Sequence, residues 1–168
     1  MTPGVVARAA RWLRRSPAVP GAFALAVGLL VYLSDRAPAH ASLIPTGWSI
    51  AASKGPLFGA VAGWLPSFVH PFAFSLCTAA TLPRTPRPAL WACLMWGAID
   101  VVFETLQHPL LAAPVADTLR QLPVMATAAR YFAAGTFDPA DLLAATAGAA
   151  AAAWLLRRHA SQGVPHEA

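Results

Sequence analysis

Residues 89–108 read ALWACLMWGAIDVVFETLQH, and their reading decides the fold class. From Ala89 to Phe103 the stretch holds one charged side chain, Asp100. A surface helix of a soluble protein shows an apolar stripe opposite a charged face, whereas a helix that is apolar nearly all round sits inside a large core or a membrane. Composition points to the membrane. Of 168 residues, 57% are hydrophobic and 11% charged, against about a quarter charged in an average soluble domain. The mean hydropathy is +0.54, and the apolar runs hold more surface than one core of this size hides. The 12 Lys/Arg against 7 Asp/Glu do not mark a nucleic-acid binder, because the arginines flank apolar runs and form no basic stripe interleaved with aromatics. Cys77 and Cys93 lie inside apolar runs, without zinc or disulfide spacing, and read as small packing residues.

Working outward from residues 89–108, the chain is expected to be all-α, a polytopic bundle of four transmembrane helices. The first run, Ala18 to Leu33, follows Arg8, Arg11, Arg14 and Arg15, which hold a basic N-terminus (1–17) in the cytoplasm. Leu65 to Leu82 and Ala89 to Glu104 are joined by a short basic turn containing Arg84 and Arg87, and the last run, Pro139 to Leu156, ends at Arg157 and Arg158. Both termini, with a tail at 157–168, are therefore expected inside, and residues 18–156 form the membrane domain. The inner segments 1–17, 83–88 and 157–168 hold eight Lys/Arg, while the longer outer segments 35–64 and 105–137 hold four, Arg36, Lys54, Arg120 and Arg130. That bias has the sign the positive-inside rule requires. Trp12, Trp48, Trp64, Trp91 and Trp154 fall near span ends, and Trp96 alone lies deep. The N-terminal pattern, followed by Ala39-His40-Ala41, also fits a cleaved secretory signal. The outer segments contain Leu57 to Leu65 and His108 to Val115, too short to span and suited to lie at the interface or re-enter. A multi-pass protein of the inner membrane follows.

Ionisable groups at membrane depth need a reason, because a charge at the bilayer centre costs about 2.5–3.5 kcal/mol on insertion scales. Asp100, Glu104, Gln107 and His108 stand at i, i+4, i+7 and i+8, which stacks them on one helical face. Counted from Ala89, Asp100 falls near the midplane and Glu104 in the outer third, so the stripe opens outward. Asp138 and Asp141 occupy the start of the last span at the same level, and His70 lies about two turns into the second. Each has a structural alternative. Asp138 before Pro139 is a common helix cap, and Asp141 is a first-turn carboxylate. His70 can be an interior histidine, Glu104 a headgroup-facing acid, Gln107 and His108 surface groups, and Asp100 an interhelical hydrogen-bonding acid. Ala144, Gly148 and Ala152 form a small-residue ridge for close helix packing.

Three motifs carry a resemblance. LPSFVHPFAF at 65–74, FETLQ at 103–107 and GTFDPADLLA at 135–144 resemble, in order and placement, the VanZ-like membrane proteins. In that family a His lies near the start of one span, Glu-x-x-Gln ends the next, and an Asp-rich start of the last span is followed by Asn and Gly. His70, Glu104, Gln107, Asp141 and Gly148 match those positions, Asp138 matches an acidic position that often precedes, and Ala145 stands where the family has Asn. The resemblance covers about residues 20–156 and implies a role of the glycopeptide-tolerance type at the cell envelope.

Two function classes are expected. In the first, a polar site opening to the extracytoplasmic side binds or acts on a cell-envelope lipid or peptidoglycan-related precursor. There Glu104 or His70 serves as general base, Asp138 and Asp141 orient groups or hold a cation, and Gln107 completes the site. In the second, an accessory, binding or small ion or lipid pathway protein uses the same residues as a packed polar network. No Gly-x-Ser-x-Gly or His-Glu-x-x-His motif is present to favour an enzyme. Membrane lipids are the expected partners, nucleic acid is excluded, and no motif names a cofactor, a metal or an oligomeric state.

Overall fold

The computed structural model describes residues 16–35, 56–83 and 85–161. Arg8 to Arg15, Arg36, Ala39-His40-Ala41, Trp12, Trp48, Lys54, Arg84 and the last seven residues lie outside them. Among the described residues the chain is helices and turns with no strand. The helices are α1 (Ala18–Asp35), α2 (Leu65–Thr81), α3 (Pro86–Leu106), α4 (Pro109–Arg120), α5 (Ala126–Ala134) and α6 (Pro139–Ser161), with short 3-10 turns at Gly59–Ala62 and Pro123–Met125. Proline in the first turn opens α2, α3, α4 and α6. That placement is favourable, since the missing N–H belongs to a position without an intrahelical partner.

α1, α3 and α6 are long and apolar enough to cross a membrane. The helices run past the apolar stretches expected from sequence: α3 starts at Pro86 inside the basic turn, and α6 continues through Arg157 and Arg158 to Ser161. α2 has 17 residues, about 26 Å at 1.5 Å per residue, and it is the central helix, packed against α1, α3 and α6. Its interior is close-packed, with Leu76, Pro71 and Ser75 fully buried.

Close approach in this bundle is set by small residues. A Cβ on Gly148 of α6 would lie 2.2 Å from the Phe68 carbonyl oxygen of α2, and one on Gly97 of α3 would lie 2.9 Å from the Ala149 Cβ of α6. Gly28 of α1 sits likewise against Val69. Ala144, Gly148 and Ala152 are all buried, as the ridge reading expects. One end of the bundle is a dry core of Leu76, Cys93, Ala152 and Leu156. Near it Trp96, expected from sequence to lie deep, stacks on Phe74 at 4.8 Å and donates its indole N–H to Thr78 Oγ1 at 2.9 Å.

The outward faces carry large apolar side chains, among them Phe23, Leu29, Trp91, Leu94, Val102 and Leu143, each more than half exposed. Together with the three long apolar helices, these faces mark a membrane-embedded protein, because in water their exposure would cost about 25 cal/mol per Å². At its end α1 is tied to the approach to α2: Asp35 accepts the backbone N–H groups of Leu57, Phe58 and Gly59 at 2.8–3.0 Å, and Gly59 adopts φ +56°, a conformation that favours glycine. The segment between α3 and α6, read as short interfacial stretches, folds into the hairpin α4–α5. Ala116, Ala129 and Phe132 are buried there, and Phe132 meets Phe103 of α3 at 5.5 Å.

Candidate functional site

At the end of the bundle opposite the dry core, α1, α2, α3, α5 and α6 surround a polar cavity of about 210 Å³. α3 supplies Asp100 and Glu104, one turn apart on the face that also buries Cys93 and Gly97, with Phe103 beside Glu104, and Gln107 follows at its C-terminal cap. Three members of the stripe read from the sequence, Asp100, Glu104 and Gln107, thus continue the packing face of α3, which turns from apolar to polar as it leaves the core, while His108 leaves it. α2 contributes Ser67 and His70, α6 Asp141 and Ala145, α1 Tyr32, and α5 with its following loop Tyr131, Gly135 and Thr136.

Hydrogen bonds fix the wall. Glu104, 9% exposed, accepts on both oxygens: Oε1 from the Asp138 backbone N–H at 2.8 Å, and Oε2 from Gln107 Nε2 at 3.3 Å. Gln107 Nε2 also donates to the Tyr131 hydroxyl at 3.1 Å and to the Phe103 carbonyl at 3.4 Å. A Cβ on Gly135 would fall 2.1 Å from Gln107 Oε1, so glycine there lets the loop before α6 close over the amide. Ser67 donates its hydroxyl to Asp141 Oδ1 at 2.8 Å, linking α2 to α6. Pro71 has no N–H for the Ser67 carbonyl one turn back, which loosens the helix where that serine turns to α6. His70 Nδ1 lies 3.9 Å from Asp100 Oδ1.

The residues singled out in sequence divide by place. His70, Glu104, Gln107 and Asp141 line one cavity, joined by Asp100. Asp138 does not line it: its carboxylate is exposed and caps α6 by accepting the Ala140 N–H at 2.9 Å, and its backbone N–H holds Glu104. The capping alternative describes it, because the first free N–H groups of α6 need an acceptor. His108 caps α4 by accepting the Leu110 N–H and meets Phe137 edge-on at 5.1 Å, away from the cavity. Gly148 serves the contact between α2 and α6. Ser67, Tyr32, Tyr131 and Thr136 went unread. Ser67 lies one turn before His70, at a spacing that places both on one face, whereas the other three come from segments without a polar pattern.

Among the described residues the wall therefore offers three carboxylates, an imidazole, a carboxamide and hydroxyls, and no Lys or Arg. Loss of water around Tyr131, reinforced by nearby Tyr32 and Glu104, raises its phenol above the usual value against the opposing hydrogen bond from Gln107, so it keeps its proton at neutral pH. Among the described residues no three His, Cys, Asp or Glu side chains gather as a metal's ligand set. The arrangement suits proton exchange and the hydrogen bonding of a small polar or cationic group. Comparison with known proteins returns no matching family model, no matching curated protein and no matching solved structure.

Proposed function

We propose that the chain is a four-span protein of the inner membrane, with both termini cytoplasmic. Its polar cavity is a working site that opens to the extracytoplasmic side and takes the headgroup of a cell-envelope lipid or peptidoglycan-related precursor. The observation that carries this reading is the meeting of His70, Glu104, Gln107 and Asp141 on one cavity wall from α2, α3 and α6. These are the side chains on which the resemblance to VanZ-like proteins rests, and Ala145, which stands where that family has Asn, lines the same cavity. Support for the fourth span comes from the position of α2: a helix of 17 residues enclosed by α1, α3 and α6 shares their direction through the bilayer and needs less apolar surface of its own. The excess of Lys/Arg in the segments assigned to the inside supports the orientation.

Within this site Glu104 and His70 are the groups to exchange a proton, and Asp141, braced by Ser67, orients what binds. Asp138 acts through the backbone, holding Glu104. One observation favours the second reading, a non-enzymatic accessory with a structural polar network: Glu104 and Gln107 tie α3 to α5 and to the start of α6.

Isosteric substitution separates the two. Glu104→Gln and Asp141→Asn keep size and hydrogen-bonding capacity, so a structural network tolerates them better than alanine. The working-site reading expects expression of the wild type to raise glycopeptide tolerance in a susceptible bacterium. It expects either variant to abolish that tolerance at near-wild-type membrane abundance. Full retention by both variants contradicts the reading, and parallel loss of abundance and tolerance favours the structural network.

A further inference from the structure

Resting on the reading of the cavity as a working site, we propose that the group it recognises is an organic ammonium, carried by a lipid headgroup or by a small soluble amine. Three independent features of the wall point to this chemistry. The first is charge: Asp100, Glu104 and Asp141 reach the cavity from two helices, and among the described residues His70 is the one basic side chain on the wall, already beside Asp100 at 3.9 Å. Among the described residues no Lys or Arg stands on the wall, so a phosphate or carboxylate would enter among acids, and desolvating it there would be costly.

The second is the distribution of the acids. They are spread along α3 and across to α6 rather than gathered on one point, and no ligand set for a metal ion forms among the described residues. An ammonium group, with several N–H bonds diverging from one nitrogen, uses carboxylates set apart around it. The third is aromatic: Tyr32, Phe103 and Tyr131 also line the cavity, and aromatic rings close to carboxylates suit a desolvated cation. The volume of about 210 Å³ equals roughly seven waters' share of the liquid. It admits an aminoethyl-sized group and excludes a whole lipid, whose chains would stay in the bilayer.

The test uses the full-length protein in detergent micelles doped with equal amounts of phosphatidylethanolamine and phosphatidylglycerol of matched chains. Retained lipid is counted by native mass spectrometry, with ethanolamine or ethylene glycol added as soluble competitor. The expected result is about tenfold preferential retention of the amine lipid, as one or two cation–carboxylate and cation–π contacts supply. That preference falls to near parity in Asp100→Asn/Asp141→Asn and persists in Asp117→Asn, an exposed acid paired with Arg120 outside the cavity. Retention that resists ethanolamine assigns the lipid as source, and ethanolamine binding without lipid preference assigns the soluble amine. Equal retention of both lipids with no ethanolamine binding overturns the proposal, as does a preference that survives the double variant while its melting temperature stays near wild type. If the double variant unfolds, Asp141→Asn alone must lower the preference, and a preference unchanged there overturns it equally. Tolerance lost in Glu104→Gln together with retention of the anionic lipid removes the ammonium assignment and leaves the working site standing.

Discussion

At the scale of single residues, the cavity wall is held by side chains that each tie several groups together. Gln107 illustrates it, since one NH₂ group serves Glu104, Tyr131 and the backbone of Phe103, and the amide keeps its place because Gly135 has no Cβ. Tyr131 is the member whose behaviour is most open to measurement. Burial raises its phenol above the ordinary value of 10.0, the direction in which the neutral hydroxyl is retained. The chain has two tyrosines, so in Tyr32→Phe a spectrophotometric titration reports Tyr131 alone, and its midpoint is expected above 10; a midpoint at or below it contradicts the partial loss of water around the phenol. His70, Glu104, Gln107 and Asp141 were legible in the sequence because polar groups inside apolar runs stand out, and helical spacing says which share a face. Tyr131 and Thr136 were not, since they come from a stretch without hydrophobic periodicity and reach the cavity only through tertiary packing. Asp138 was legible as a helix cap, since the free N–H groups at the start of α6 take its carboxylate, whereas its backbone hold on Glu104 had no signal in the sequence.

At the scale of elements, small residues decide how near the helices come, and that nearness brings Ser67 within 2.8 Å of Asp141. Gly148 is the tightest of these contacts between helices. Gly148→Ala places a methyl against the Phe68 carbonyl oxygen, backbone that cannot step aside as a side chain does, and overpacking of this kind costs about 1–3 kcal/mol. A lowered midpoint of thermal unfolding in detergent is expected, whereas a midpoint equal to wild type would mean that α2 and α6 stand further apart. The ridge Ala144, Gly148, Ala152 announced this contact in the sequence, because small residues at i, i+4 and i+8 have little other use on a membrane helix. The hairpin α4–α5 was announced only as two apolar fragments. Its helices are short, and α4 carries Pro114 in its interior, so propensity and period are both weak there.

At the scale of the whole molecule, the bundle is polarised: an apolar core at one end, a polar cavity at the other, and α2 running between them. The apolar runs made the membrane class legible, the arginines next to them suggested an orientation, and the cost of separate polar groups in lipid pointed to one shared cavity, but the rotations that turn α2, α3 and α6 onto it follow from no spacing rule. Our account makes that cavity open to the extracytoplasmic side. Ala145→Cys, placed on a Cys77→Ala/Cys93→Ala background, puts a thiol on its wall. Spheroplasts are treated with a small membrane-impermeant methanethiosulfonate, with Asp117→Cys as the outer reference and Arg157→Cys as the inner one. Ala145→Cys is expected to be labelled from outside together with Asp117→Cys, and Arg157→Cys only after permeabilisation. Labelling of Ala145→Cys only after permeabilisation, or not at all, would contradict the outward opening.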